Sequence, residues 1–240
     1  ELRMTEEQIK NLKKIFIIAC GSAYHAGVTG KYVIEDLSRI PVEVDLASEF
    51  RYRNPILEEN SLAIIISQSG ETADTLAAMR EAKRHGVRTL AVVNAVGSSI
   101  AREADDVLYT WAGPEIAVAT TKGYTSQLSA LYLLALHFGK IRGKIERNEY
   151  LEMIQELKSL PDKIEELLSH KERIQFLANQ YIGLKDVFFL GRGIDYASAL
   201  EGSLKLKEIS YVHSEAYAAG ELKHGTISLI EKGTLVVALV

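Results

Sequence analysis

The sequence predicts an α/β fold: a parallel sheet sandwiched in three layers between helices, then a helical connector, then a second, shorter unit of the same kind. Short apolar runs alternate with helix-period patterns through the first half of the chain, the rhythm of right-handed parallel crossovers. One of these runs, Leu62-Ala63-Ile64-Ile65-Ile66, is continuously apolar, as a strand buried on both faces is. The third observation is a repeat. Ile17-Ile18-Ala19-Cys20 runs into Gly21-Ser22-Ala23-Tyr24 much as Val187-Phe188-Phe189-Leu190 runs into Gly191-Arg192-Gly193-Ile194-Asp195-Tyr196, with the glycines Gly21 and Gly193 and the tyrosines Tyr24 and Tyr196 at one offset.

In order, residues 7–14 read as a short helix and 15–19 as a buried strand, and Gly21-Ser22 opens a helix through Arg39. A short strand over 42–46 ends at Ala47-Ser48. After the 62–66 strand a helix runs through His85, with Leu76, Met79 and Ala82 at inward spacing and Gly86 as its stop. Strands follow at 89–93 and 107–110, the latter preceded by a short 99–104 helix. From Lys122 the strands cease: 125–137 reads as one long helix, and 147–160 and 161–180 as charged amphipathic helices with a boundary placed just before Pro161. The expected organisation is a first domain over 1–145, a connector over 146–182 and the N-terminal part of a second domain over 183–240. The last strand, within 233–240, leaves too few strands to complete a second sheet, so the sequence reads as a fragment of a longer protein.

Composition excludes several classes. The 240 residues are 47% hydrophobic and 25% charged, enough for a substantial core. A formal net charge of -4 with no dense Lys/Arg cluster argues against nucleic acid as a partner. No apolar run approaches a membrane span, and residues 1–14 lack an apolar signal core, so no membrane role is expected and the cytoplasm is the default location. Cys20, the single cysteine, permits no intrachain disulfide and follows a strand as a packed small residue would.

The stretch Ser67-Gln68-Ser69-Gly70-Glu71-Thr72 sits where the apolar 62–66 strand meets a helix. Three hydroxyls, a Gly that lets the chain turn closely, and free N–H groups at a helix N-terminus form an anion cradle. The absence of a Lys inside it favours one phosphate on a small molecule over a nucleoside triphosphate. An ordinary Ser/Thr helix cap is the competing reading. Cys20-Gly21-Ser22 and Asn94 also fall at carboxyl ends of strands, where ligands bind in such sheets.

In the second unit Glu201, Lys205 and Glu208 share a helix face at i, i+4 and i+7, with Tyr211 following. They read either as a solvated face with an ion pair or as a half-buried carboxylate beside a cation, suited to proton shuttling. Glu215, Glu221, Lys223 and His224 lie in a Gly- and Ala-rich stretch expected to be a loop. Glu and His near a phosphosugar cradle point to proton transfer next to a carbonyl. Neither His213 nor His224 shows metal-ligand spacing, so no metal is expected.

The cradle extended through Leu76, the stretch Ala47-Ser48-Glu49-Phe50-Arg51-Tyr52-Arg53, the stretch Gly113-Pro114-Glu115-Ile116-Ala117-Val118-Ala119-Thr120-Thr121-Lys122, and Leu204 to Tyr211 through Glu221-Leu222-Lys223-His224-Gly225 together resemble the isomerase part of the glutamine-fructose-6-phosphate aminotransferase (glucosamine-6-phosphate synthase) family. The resemblance covers nearly the whole chain; the cradle alone would indicate only the broader sugar isomerase (SIS) fold. It implies two SIS domains, the second truncated, and a homodimer that completes the site. It implies that fructose 6-phosphate is held at Ser22, Ser67, Gln68, Ser69 and Thr72, with Val118 and Thr120 near the sugar. Glu208 is implied as the residue moving the proton between sugar carbons, Lys205 as its neighbour, and His224 as the ring-opening acid/base supplied by the other subunit. Ammonia reaching the ketose carbonyl then yields glucosamine 6-phosphate, and no metal or organic cofactor is implied.

The sequence departs from that family in holding neither the glutaminase domain nor the C-terminal tail, and in carrying Ala23 and Thr120 where Ser is usual. Weak phosphosugar binding and little turnover are therefore expected of the fragment alone. A stand-alone phosphosugar isomerase or deaminase, or a phosphosugar-sensing regulatory module, are the other classes the residues leave open.

Overall fold

Branched apolar residues alternating on two faces decide the first sheet. In the computed structural model, which describes residues 2–240, the chain divides into two units, Glu1–Ile145 and Glu146–Val240. Unit 1 runs α1 (Glu6–Lys10), β1 (Lys14–Ala19), α2 (Gly21–Ser38), β2 (Val42–Leu46), α3 (Ala47–Phe50), β3 (Ser61–Ser67), α4 (Ala73–Arg84), β4 (Arg88–Val93), α5 (Ser99–Glu103), β5 (Asp106–Tyr109) and α6 (Lys122–Ile141). The strands pair in the order β2-β1-β3-β4-β5, every pairing parallel.

Side chains point to opposite faces of a strand with period two. Ile15, Ile17, Leu62, Ile64, Ile66, Leu90 and Val92 pack with Ile34 of α2 and Leu131, Leu134 and Phe138 of α6. Their neighbours Phe16, Ile18, Ala63, Ile65, Ala91 and Val93 pack on the other face with Phe50, with Ala78, Met79 and Ala82 of α4, and with Ile100 of α5. Both faces are thus covered, which is why these strands read as unbroken apolar runs. β1 and β3 lie side by side, yet the chain leaves β1 towards β2 and returns across the sheet to β3, so a topological switch point lies between their carboxyl ends.

Unit 2 comprises α7 (Arg147–Ser169), α8 (Lys171–Asn179), β6 (Asp186–Gly191), α9 (Ile194–Ser210), β7 (His213–Ala218), 3-10 turns at Leu222–His224 and Thr226–Leu229, and β8 (Leu235–Ala238). Its three strands pair in parallel in the order β7-β6-β8. The repeated opening is conformational as well as sequential: Gly21 and Gly193 take φ 56° and 57°, in the left-handed region that favours glycine.

Several boundaries differ from expectation. The first helix stops at Lys10, and Lys14 already belongs to β1. Thr5 and Gln8 close a capping box that places the start of α1. α6 is longer than the apolar stretch alone suggested, and Ala47 opens the single turn of α3 after β2. The boundary expected before Pro161 is not there: α7 passes through Pro161, and the break falls at His170. A proline removes one N–H and crowds the carbonyl four residues back. On a helix that buries none of its residues that carbonyl can turn to water, and Glu156 and Lys163 pair across the proline. Glu215 lies in β7 and not in a loop.

Candidate functional site

Everything in the Ser67–Thr72 loop follows from β3 ending at the switch point and α4 beginning at Ala73. Ser67 is buried, and its Oγ accepts the Gly70 N–H at 3.0 Å and lies 3.1 Å from Thr72 Oγ1. Ser69, exposed at the rim, accepts the Glu71 N–H on its Oγ at 3.2 Å. Thr72 is the N-cap of α4, and its hydroxyl makes no bond to the helix. The plain-cap reading is thereby not what the geometry shows, because the hydroxyl turns to Ser67 instead. Gly70 sits at φ 66°, and a Cβ there would fall 2.0 Å from Ser98 Oγ, so only glycine fits.

The loop is tied to its neighbours through carbonyls. Gln68 C=O accepts the N–H groups of Asn94 at 3.1 Å and Ala95 at 3.3 Å, and Gly70 C=O accepts the Ile100 N–H at 3.0 Å. The Glu71 carboxylate turns outward and accepts the Ser99 N–H at 2.7 Å. That bond, with the hydroxyl of Ser99 and the charge of Arg102, holds its pKa below the ordinary carboxylate value.

A second polar segment follows β5. Glu115 Oε2 accepts from Thr120 Oγ1 at 2.9 Å and from the Gly123 N–H at 3.2 Å, which folds the 113–121 segment back on the start of α6. The Thr120 hydroxyl bond is the main reason the Glu115 carboxyl titrates below its ordinary value. A Cβ on Gly123 would come 2.5 Å from Thr120 Oγ1 and 3.6 Å from Gln68 Cγ, so Thr120, Gly123 and Gln68 converge. Val118 is almost fully exposed on this segment. Ser22 lies half-buried in the first turn of α2, across the switch point from the loop. Cys20 is half-buried with Sγ 3.6 Å from Thr75 Oγ1.

In unit 2, α9 carries Lys205 with its ammonium between Glu201 Oε1 at 3.4 Å and Glu208 Oε2, to which it is hydrogen-bonded. Glu201 is buried and Lys205 and Glu208 are partly so. The i,i+4 ion pair of the plainer reading is present, on a face that is part-buried and not solvated at this triad, although Ile209 and Tyr211 beside it are exposed. His224 ends the 3-10 turn at Leu222–His224 and is exposed, its N–H bonded to Glu221 C=O at 2.9 Å. Glu215 is taken up by Tyr217, whose hydroxyl donates to it; that bond pushes the phenol up to about 12. Among the described residues no group of three or more His, Cys, Asp or Glu is placed to hold a metal ion, and no helix is long and apolar enough to cross a membrane.

The packing of Ser98, Ser99 and Ile100 against the loop, and the bracing use of Glu71 and Glu115, leave no mark in the sequence. A serine pair before a short helix is too common a pattern to show which distant carboxylate it faces.

The chain is 65% identical, over 99% of its length, to the glutamine–fructose-6-phosphate aminotransferase (isomerizing) of Caldanaerobacter subterraneus subsp. tengcongensis, and it spans 39% of that relative. Among solved structures it is similar to the C-terminal domain of glucosamine-fructose-6-phosphate aminotransferase from Francisella tularensis, with a TM-score of 0.94, 41% identity, and coverage of 97% of this chain and 66% of that one. A glucosamine-6-phosphate deaminase from Thermotoga maritima superposes with a TM-score of 0.79 at 29% identity, over 95% of this chain and 68% of that one. A family model for the SIS domain matches residues 8–137 and 181–240, and with the parallel sheets and the loop after β3 this places the chain in the SIS domain family.

Proposed function

We propose that this chain is the isomerase part of a glucosamine-6-phosphate synthase, binding fructose 6-phosphate and converting it with ammonia to glucosamine 6-phosphate. The observation that carries it is the Ser67–Thr72 loop, with buried and rim hydroxyls converging at the switch point of the sheet, in a chain 65% identical to a protein of that activity.

The phosphate is bound by Ser67, Ser69 and Thr72, whose hydroxyls exchange their bonds within the loop for phosphate oxygens. Gln68, Ser22, Thr120 and Val118 flank the sugar. Ammonia adds to C2 of the open-chain ketose with loss of water. The Glu208 carboxylate then takes a proton from C1 of the resulting imine and returns it to C2 while the O1 hydroxyl proton passes to the imine nitrogen, leaving an amine on C2 and an aldehyde at C1. Lys205 holds that carboxylate by a charge-assisted bond. His224, supplied by the second subunit of a homodimer, transfers the proton that opens the sugar ring. We read residues 183–240 as the start of the second SIS domain, 146–182 as the connector, and the ammonia as released by a glutaminase domain elsewhere in the protein. The cytoplasm is the proposed location.

Calorimetric titration with glucosamine 6-phosphate beside unphosphorylated glucosamine tests the binding half. Only the phosphorylated sugar is expected to bind, with Ser69→Ala and Thr72→Ala each weakening it about tenfold, the worth of one hydrogen bond to a charged group. Equal binding of both sugars would remove the cradle from the reading. Glutamine- or ammonia-dependent formation of glucosamine 6-phosphate by the full-length protein separates the synthase from a stand-alone isomerase or deaminase.

A further inference from the structure

We propose that the start of α5 is a brace that sets the shape of the phosphate loop, with Glu71 and the Ser99 N–H as its latch, so that residues which never touch the sugar determine its affinity. The inference rests on the phosphate reading of the Ser67–Thr72 loop.

In a trans peptide the C=O of one residue and the N–H of the next point in opposite directions, and the described chain holds no cis bond. Gln68 C=O is drawn outward by the Asn94 and Ala95 N–H groups, so the Ser69 N–H faces the opposite way, into the loop. Gly70 C=O is drawn outward by the Ile100 N–H, so the Glu71 N–H also faces inward, where Ser69 Oγ accepts it. Two inward N–H groups two residues apart, on either side of the Gly70 N–H that Ser67 Oγ accepts, form a concavity for an oxyanion. Its shape depends on two carbonyls being anchored from outside.

The anchor at Gly70 has a reinforcement. Glu71 reaches across to the Ser99 N–H at 2.7 Å, next in the chain to the N–H that holds Gly70 C=O. A carboxylate inside a phosphate cradle would repel a dianion; the same bond turns this one away from the loop and towards Arg102. Ser98 completes the brace: its buried side chain fills the space in which a Cβ on Gly70 would sit. Glu71 is thus a positioning residue with two effects: it fixes the Gly70–Glu71 peptide and keeps its own charge off the ligand.

Ser99→Pro is a clean probe. Ser99 is the first residue of α5, where proline is pre-organised for a helix and the lost N–H is one the helix itself does not use. Ser98, with φ -62° and ψ 163°, already has the extended backbone a residue before proline requires. The substitution deletes the latch donor together with the Ser99 hydroxyl, which accepts from Arg102, and is expected to leave the fold intact. In the full-length protein, titrated with glucosamine 6-phosphate and separately with inorganic phosphate, Ser99→Pro and Glu71→Ala are each expected to weaken binding of both probes about 5- to 10-fold, the range of a lost capping bond. The melting temperature of Ser99→Pro stays at or above that of the wild type. Glu71→Gln, whose amide oxygen still accepts the Ser99 N–H, should bind within about twofold of the wild type, and Glu71→Ala should add nothing to Ser99→Pro. Wild-type affinity in both Ser99→Pro and Glu71→Ala would overturn the brace, as would Glu71→Gln binding as weakly as Glu71→Ala. Should Ser99→Pro not fold, the Glu71→Ala and Glu71→Gln pair decides alone. Wild-type protein indifferent to phosphate would instead overturn the phosphate reading, which the unphosphorylated sugar control reveals independently.

Discussion

The sheet of unit 1 is covered on both faces, and Ile15, Ile17, Ile64, Ile65 and Phe138 are fully buried. In unit 2 the buried apolar side chains are Val187, Phe188, Ala197 and Ala199, and α7 and α8 bury no residue at all. The polar chemistry differs in the same sense. In unit 1 the carbonyls of the loop after β3 are anchored by backbone N–H groups of neighbouring elements, and side-chain bonds of the loop, Glu71 to the Ser99 N–H among them, also run to backbone. In unit 2 Lys205 and Glu208 are held by side chains alone, on one face of α9. On the proposed function, the loop anchored to backbone would supply the rigidity an oxyanion cradle needs, and a carboxylate held by a lysine side chain would keep the freedom a proton shuttle needs.

That contrast is most sharply tested at Glu208. On the proposed mechanism, Glu208→Gln in the full-length protein lowers proton exchange at the sugar carbons by about 10²- to 10⁴-fold, the usual worth of a general base. Calorimetry should find glucosamine 6-phosphate binding nearly unchanged, because the proposed phosphate loop lies in unit 1. Retained exchange, followed by loss of deuterium from labelled sugar, would take the proton transfer away from Glu208. Lost binding would show that the two functions are not divided between the units.

The difference in cores predicts the next largest effect. Ile64→Ala removes a fully buried side chain from the central strand β3 and should destabilise the chain by about 2–5 kcal/mol in chemical denaturation. Phe176→Ala on α8, where the ring is 64% exposed, should change stability by no more than about 0.5 kcal/mol. Equal losses would mean that the ring of Phe176 is packed in solution, and the contrast between the units would lapse.

How much of this the residues announce follows the same division. The runs 62–66 and 15–19 declare β3 and β1 because a strand buried on both faces has no polar position to hide the period. The loop between β3 and α4 is legible because three hydroxyls and a glycine crowd one strand end, and α9 because Glu201, Lys205 and Glu208 repeat at helical spacing. The brace is not legible, since Glu71 and Ser99 are 28 residues apart and only the return of the chain through β4 brings them together. Pro161 misled for the opposite reason: proline signals a break by a local rule, and an exposed helix with a pair spanning it tolerates what a buried one would not. Glu215 reads as loop from its small neighbours, yet β7 forms there by pairing in parallel with β6, a context that a local composition does not carry.

The smallest predicted effect probes whether side-chain bonds in unit 2 persist in solution. Tyr217 stacks on Phe188 with ring centroids 6.0 Å apart and donates its hydroxyl to Glu215, which raises its pKa from 10.0 to about 12. Only the protonated phenol can donate. The stabilisation is therefore complete below the unfolded value of 10.0 and is lost as the pH climbs to about 12. Solvent screening keeps the energy small, so the pH at which the phenolate forms is the better observable. Tyr217→Phe preserves the stacked ring and deletes the one proton in question. Subtracting its phenolate absorbance titration from that of the wild type removes the other tyrosines, and the difference should rise with a midpoint near 12. A midpoint near 10 would mean that the Glu215 bond does not hold in water and that the side-chain chemistry of β7 is looser still than the contrast with unit 1 supposes.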